Sequence, residues 1–189
     1  MTTVSIIGTG NMGDALTALF DRAGASVQSL SHERASEPIE GEIVVLAVPF
    51  GAMAELATSP ERFVGKTVVD IANAVDQASF SPVEFPAGSG AETLQEALPD
   101  AHVVKAFNTN FSAALAAGTV DGRPVSVLVA GDDEDAKQRF VRLVKESGAS
   151  VFDAGRLVRA RELEALGFLQ IALAASGEIG CTGGFSLAQ

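Results

Sequence analysis

The stretch that decides the fold is Val4–Leu16, VSIIGTGNMGDAL. An apolar run, Val4–Ile7, leads into three glycines spaced Gly8-x-Gly10-x-x-Gly13, and Leu16, Leu19 and Phe20 then share one side of a helical repeat. Each glycine has a physical reason. Gly8 permits a tight turn after a strand, Gly10 lets the backbone come close to a pyrophosphate, and Gly13 lets the helix pack on the strand. Free N–H groups at the helix start can then bind the anion. Nineteen glycines give such spacing some chance of arising by accident. Its place between a strand and a helix makes it a dinucleotide fingerprint rather than a structural turn alone.

Working outward, a helix over Asp14–Ala23 is closed by Gly24, and Ala25–Leu30 reads as a second strand. No clear helix separates it from Ile43–Val48, a run so apolar that both its faces must be covered. Pro49 stops that strand; a short helix (Ala52–Ala57), a fourth strand (Thr67–Ala72), a loop (Asp76–Gly90), a helix (Ala91–Leu98) and a fifth strand (Val103–Phe107) follow. This alternation predicts an α/β fold, a Rossmann-like doubly wound parallel sheet. Residues 1–110 form its dinucleotide-binding domain in this reading. Residues 111–189 form a small C-terminal α/β extension, packed on it at the substrate side and ending in a long helix over Leu157–Ile179. Before that helix come a helix at Ser112–Ala117, strands at Val125–Ala130 and Ser150–Asp153, and an amphipathic helix at Asp132–Glu146. From Ala165 the last helix is nearly all apolar, and a helix apolar on all sides must be buried, in the core or in a homodimer interface.

Composition narrows the function. Forty-seven per cent hydrophobic and 20% charged residues in a chain of 189 suit one good core. A net charge of −11 makes nucleic acid a poor partner. Cys181 is the only cysteine, so no internal disulfide and no cysteine-based metal site can form, and a reducing cytoplasm fits. His and carboxylates show no metal-binding cluster. The most apolar segment, Ala165–Ser176, is about half of a membrane span, and the N-terminus shows no secretory pattern, so no membrane partner is expected. Tyr and Trp are absent, which removes a tyrosine acid and leaves Phe as the aromatic platform.

The second-strand tip usually carries an acid for the adenosine ribose. Here it reads Leu30-Ser31-His32, with Arg34 two residues on. Ser31 can donate to a phosphate oxygen and Arg34 offers a bidentate fork, so the tip reads as a reader of the NADP 2′-phosphate. His32 titrates near neutrality, so NADP affinity is expected to weaken as pH rises past its pKa. The third, fourth and fifth strands end in AVPFGA, DIANAV and KAFNTN. Ala47, Val48 and Ala72 leave room there, while Asn73, Asn108 and Thr109 offer hydrogen bonds. Phe50 and Phe107 can wall a flat ring or fill the core. Lys105 reads as a snorkelling side chain rather than an acid, and His102 as a surface residue. No catalytic residue stands out. Hydride transfer between two flat rings needs little more from a protein than distance and orientation.

These strings resemble the small NADP-dependent oxidoreductases related to coenzyme F420-dependent NADP oxidoreductase, in their short bacterial form. The resemblance spans essentially the whole chain: IIGTGNMG, VVLAVPF, VVDIANAV, VVKAFNTNF, VLVAGDDEDAKQRF, DAGRLVRARELEALGFLQIALA and the closing GGF. KAFNT is also similar to the cytoplasmic domain of transmembrane metalloreductases. The resemblance implies a dimeric Rossmann protein. Thr9, Asn11 and Met12 would meet NADP in the turn, Ser31, His32 and Arg34 at the phosphate, and Val48, Pro49 and Asn73 along the cleft. Gly8, Gly10, Gly13, Ala106 and Asn108 complete the expected set. Family members often carry Ser-Arg where this chain has Ser31-His32, and Thr-Asn-Pro at Ala72-Asn73-Ala74. The implied reaction moves a hydride between NADP(H) and a small-molecule redox acceptor, F420 being favoured over another flavin. Alternatives are an NADPH-dependent reductase of a small imine or keto compound, for which too few residues follow the fifth strand, and a non-catalytic NADP-binding protein. The tail GCTGGF can either fold over a second substrate or hang free.

Overall fold

The computed structural model describes residues 2–34, 36–76 and 78–187; the side chain of His32 also lies outside the described set. The first part lays down β1 (Thr3–Ile7), α1 (Asn11–Arg22), β2 (Ser26–Leu30), β3 (Ile43–Leu46), α2 (Phe50–Leu56) and β4 (Thr67–Asp70). A small hairpin, β5 (Val75–Asp76) and β6 (Ser81–Pro82), then precedes α3 (Gly90–Ala97) and β7 (His102–Lys105). The second part holds α4 (Ser112–Ala117), a hairpin of β8 (Thr119–Val120) and β9 (Arg123–Pro124), β10 (Ser126–Gly131), α5 (Glu134–Glu146), β11 (Ser150–Gly155) and α6 (Ala160–Ala175). Seven strands form one sheet in the order β11-β10-β7-β4-β3-β1-β2. β1 is hydrogen-bonded to both β2 and β3, so the order reverses between β1 and β3. That reversal is the switch point where an open α/β sheet receives a ligand.

Period-two alternation assigns the core. Val4, Ile6, Val45, Val69 and Val104 face a cluster closed by Leu16, Leu19 and Phe20 of α1 and Phe140 of α5. Ile7, Val44, Leu46, Val68 and Val103 face the other cluster, closed by Met53 of α2, Leu94 of α3 and Ala160 of α6. Both faces are covered, as the unbroken apolar strands require. β2 and β3 are joined without an α-helix, through one 3-10 turn at His32–Arg34.

Three features depart from the sequence expectation. α1 starts at Asn11 rather than Asp14, so Gly13 lies inside its first turn. The sheet is parallel only from β2 to β7; β10 lies antiparallel to β7, pairing Ala130 with Lys105, and β11 lies parallel to β10. A parallel return needs a crossover spanning the sheet. The six residues of α4 rise only about 9 Å, so the chain re-enters the sheet beside the end it has just left. Finally, α6 stops at Ala175 rather than Ile179, and within the single chain it is buried along one edge. Ala160, Leu163, Gly167 and Gln170 form one buried edge, while Leu169 is 50% exposed.

Candidate functional site

The glycine turn shows why each glycine is there. Gly8 has a φ of +116°, and a Cβ on it would lie 2.1 Å from the Ala47 carbonyl oxygen. A Cβ on Gly13 would lie 2.1 Å from the Gly8 carbonyl oxygen, so these two glycines keep α1 against the strand ends. A Cβ on Gly10 would meet nothing within 4 Å among the described residues. Gly10 caps α1, whose first internal bond runs from the Asp14 N–H to the Gly10 carbonyl, 3.0 Å. The amides of Asn11, Met12 and Gly13 come before that bond, free to hold an anion.

Three cavities follow one another along the carboxyl ends of the strands. The first, about 380 Å³, is lined by Ile7, Gly8, Ser36, Val48, Leu56 and Arg62, among others. The second, about 390 Å³, holds Gly10, Asn11, Met12, Val48, Pro49, Phe50 and Asn73. The third, about 360 Å³, includes Asn73, Phe85, Arg161, Glu164 and Phe168. Val48 belongs to the first two and Asn73 to the last two, so the three make one trough. Each is of ordinary size for a small-molecule site.

The expected site residues sort by position. Gly8, Gly10, Asn11, Met12, Val48, Pro49 and Asn73 line the trough. Thr9 is exposed on the turn, and Gly13 is buried behind it. Ser31 is half-buried at the end of β2. Asn108 lies 5% exposed beneath Asn73 and is tied to it twice: Asn73 Nδ2 donates to the Asn108 carbonyl, and Asn108 Nδ2 donates to Asn73 Oδ1. Ala106 was expected to line the cleft; it is fully buried in the core instead, because it continues the alternation of β7 toward α1. Phe107 likewise serves the core, with edge-to-face contacts to Phe20 and Phe140. Its φ of +59° is unusual for a bulky residue, and this turn carries the chain from β7 to Asn108. Phe50 does line the trough, edge-on to Phe85.

Lys105 corrects the snorkelling expectation. Its side chain is 1% exposed, and Nζ lies 2.8 Å from Asp70 Oδ2 and 2.9 Å from Glu164 Oε1. It also donates to the Ala72 carbonyl, 2.6 Å. Glu164 in turn accepts from the Gly90 and Ala91 amides at the start of α3. One ammonium thereby ties β4, β7, α3 and α6 together under the trough. α6 closes down on this floor: a Cβ at Gly167 would lie 2.3 Å from Asn73 Oδ1. Arg161 reaches Glu92 with two bonds of 2.9 Å at the rim, and this holds the Glu92 carboxyl below its usual range. The tail is docked rather than free: the Phe185 N–H donates to Gln170, and the Leu187 N–H donates to the Ser126 hydroxyl at the start of β10.

Past the tip of β2, Arg34 makes a fork to Glu37: Nε and Nη2 reach the two carboxylate oxygens at 2.8 Å each. The pairing raises the Arg34 pKa and lowers that of Glu37. Arg62 donates to the Glu37 carbonyl, 2.9 Å. The sequence reading missed Glu37, Arg62, Glu164, Gly167 and Gln170. Only Glu37 had a local signal, a carboxylate three residues after an arginine.

A seven-stranded sheet with a switch-point trough and a glycine turn defines a Rossmann-type protein of the dinucleotide-binding class. Comparison with known proteins carries this further. The family described as "NADP oxidoreductase coenzyme F420-dependent" matches residues 14–74. A crystal structure assigned as an F420-dependent NADP-reductase from Arthrobacter sp. FB24 superposes with a TM-score of 0.86 at 26% identity, covering 100% of both chains. The F420-dependent NADP reductase of Methanocaldococcus jannaschii is 29% identical over 161 residues, which is 82% of this chain and 72% of that one. The metalloreductase STEAP3 of Rattus norvegicus is 32% identical over 138 residues, 73% of this chain, and this chain spans only 27% of that relative. The chain is thus similar to NADP oxidoreductases related to the coenzyme F420-dependent enzyme, in the family match over residues 14–74 and in these relatives. No helix among the described residues is long and apolar enough to cross a membrane.

Proposed function

We propose that the trough binds NADP(H) across its first two cavities and a flat redox acceptor, F420 being favoured, in the third. The observation that carries this is Gly10. The protein's own packing explains Gly8 and Gly13 but leaves Gly10 without a steric reason, and a close pyrophosphate supplies one. In this reading the Asn11, Met12 and Gly13 amides hold the pyrophosphate, and the cavity with Arg62 takes the adenosine. Val48, Pro49 and Asn73 position the nicotinamide end. Bound NADPH would supply a hydride, with the accompanying proton drawn from water. The chain's own contribution is orientation: Asn73 is fixed by Asn108 and pressed by Gly167, so the boundary between the second and third cavities is rigid. Exposed Leu169 on α6 supports a homodimer contact on that face.

The test is direct. Purified protein is titrated with NADPH, then mixed with oxidised F420, FMN or FAD while NADPH absorbance is followed. Oxidation with a ring acceptor is expected. NADPH binding without oxidation by any of the three would refute ring reduction; oxidation only by an imine or keto compound would move the protein to that class.

A further inference from the structure

Glu37 stands where a ligand would be expected to act. Arg34 is the one described side chain at the β2 tip able to fork a phosphate, and one forked edge of its guanidinium is taken by Glu37. Nε and Nη2 go to both oxygens of Glu37, and Nη1 reaches the Ser29 carbonyl at 3.3 Å. A carboxylate presents two oxygens to a guanidinium much as a phosphate does. Glu37 is itself held from the other side, its carbonyl taking the Arg62 bond from the wall of the first cavity. Two arginines therefore converge on one acidic residue beside the cavity assigned to adenosine. Both side chains of the Arg34–Glu37 pair are about half exposed, 54% and 43%, so partner exchange there is cheap.

We propose that Glu37 competes with the 2′-phosphate for Arg34 and so sets how strongly the chain prefers NADP over NAD. This rests on the reading of the trough as an NADP site. A phosphate approaching Arg34 must displace the carboxylate or share the guanidinium with it, and sharing places two anions side by side. NAD, which carries a hydroxyl at that position, meets no such competition. Glu37 thus tempers a preference that Ser31 and Arg34 alone would make stronger.

The experiment compares NADPH and NADH affinities for the full chain, Glu37→Gln, Arg34→Gln and the double variant. Glu37→Gln keeps an acceptor oxygen but loses the charge. It should tighten NADPH by about two- to five-fold, the range an exposed ion pair commands, and leave NADH unchanged. The gain should vanish in the Arg34→Gln background. If wild type prefers NADPH and Glu37→Gln leaves its affinity equal or weaker, or tightens both cofactors alike, the competition is overturned while the NADP reading stands. If wild type binds NADH as well as NADPH, the NADP reading falls and this inference with it.

Discussion

Gly10→Ala separates what the fold needs from what the ligand needs. Gly10 sits at φ −84°, ψ −177°, an extended conformation open to alanine, and its new methyl would meet no atom within 4 Å among the described residues. Replacing glycine at a compatible position stabilises by about 0.4–1 kcal/mol through the unfolded chain, while alanine is the poorer N-cap. The two effects nearly cancel, so unfolding should stay within about 1 kcal/mol of wild type, or about 2–4 °C in Tm. In the proposed reading, however, the methyl stands where the pyrophosphate would approach the α1 amides. Losing one charge-assisted hydrogen bond is worth about 1.5–3 kcal/mol, which weakens NADPH by about 10- to 150-fold. Gly8→Ala and Gly13→Ala behave differently, since each places a methyl 2.1 Å from a carbonyl oxygen. Gly8→Ala also forces a side chain into positive φ, adding about 1–3 kcal/mol of strain. Both should lower Tm clearly. Thermal unfolding and calorimetric titration with NADPH read the two quantities separately. If Gly10→Ala bound NADPH within two-fold of wild type, or lost as much stability as Gly8→Ala, the assignment of the pyrophosphate to this turn would be wrong.

Lys105→Met should be severe. It leaves Asp70, 1% exposed, and Glu164, 14% exposed, without their shared cation. Breaking a buried pair from one side typically destabilises by about 3–5 kcal/mol; urea denaturation showing less than about 1 kcal/mol would mean the two carboxylates find other partners. Removing residues 183–189 deletes the tail bonds to Gln170 and Ser126, a loss of about 1–3 kcal/mol. Because Ser126 opens β10 at the trough end of the sheet, turnover with a ring acceptor should fall while NADPH affinity holds. Unchanged turnover would make the tail a structural strap alone.

What the sequence disclosed is what depends on near neighbours. The glycine turn, the apolar strands and the missing helix between β2 and β3 are local, and each is where it was expected. The direction of β10 was not legible, because alternation reads the same in a parallel and an antiparallel strand. Only the shortness of α4 carried the information. Lys105 was misread for a related reason. A lysine in VVKAF resembles a side chain seeking solvent, and the partner that makes burial tolerable, Asp70, lies 35 residues away. α6 was legible in composition but not in its packing. Its apolar composition suggested burial by area, whereas its fixed edge depends on close approach: Gly167 fits against Asn73 because it has no side chain, while larger Leu169 stays exposed. The two features meet at one place. The Lys105 ion cluster fixes α6 through Glu164, and α6 then presses Gly167 onto the Asn73–Asn108 pair between two cavities of the trough. A buried charge cluster is seldom the cheapest way to stabilise a fold, since well-packed apolar residues often do as well. Here it fixes the register of α6 over the strand ends, and in the proposed reading that register would set how closely two flat rings could meet across Asn73.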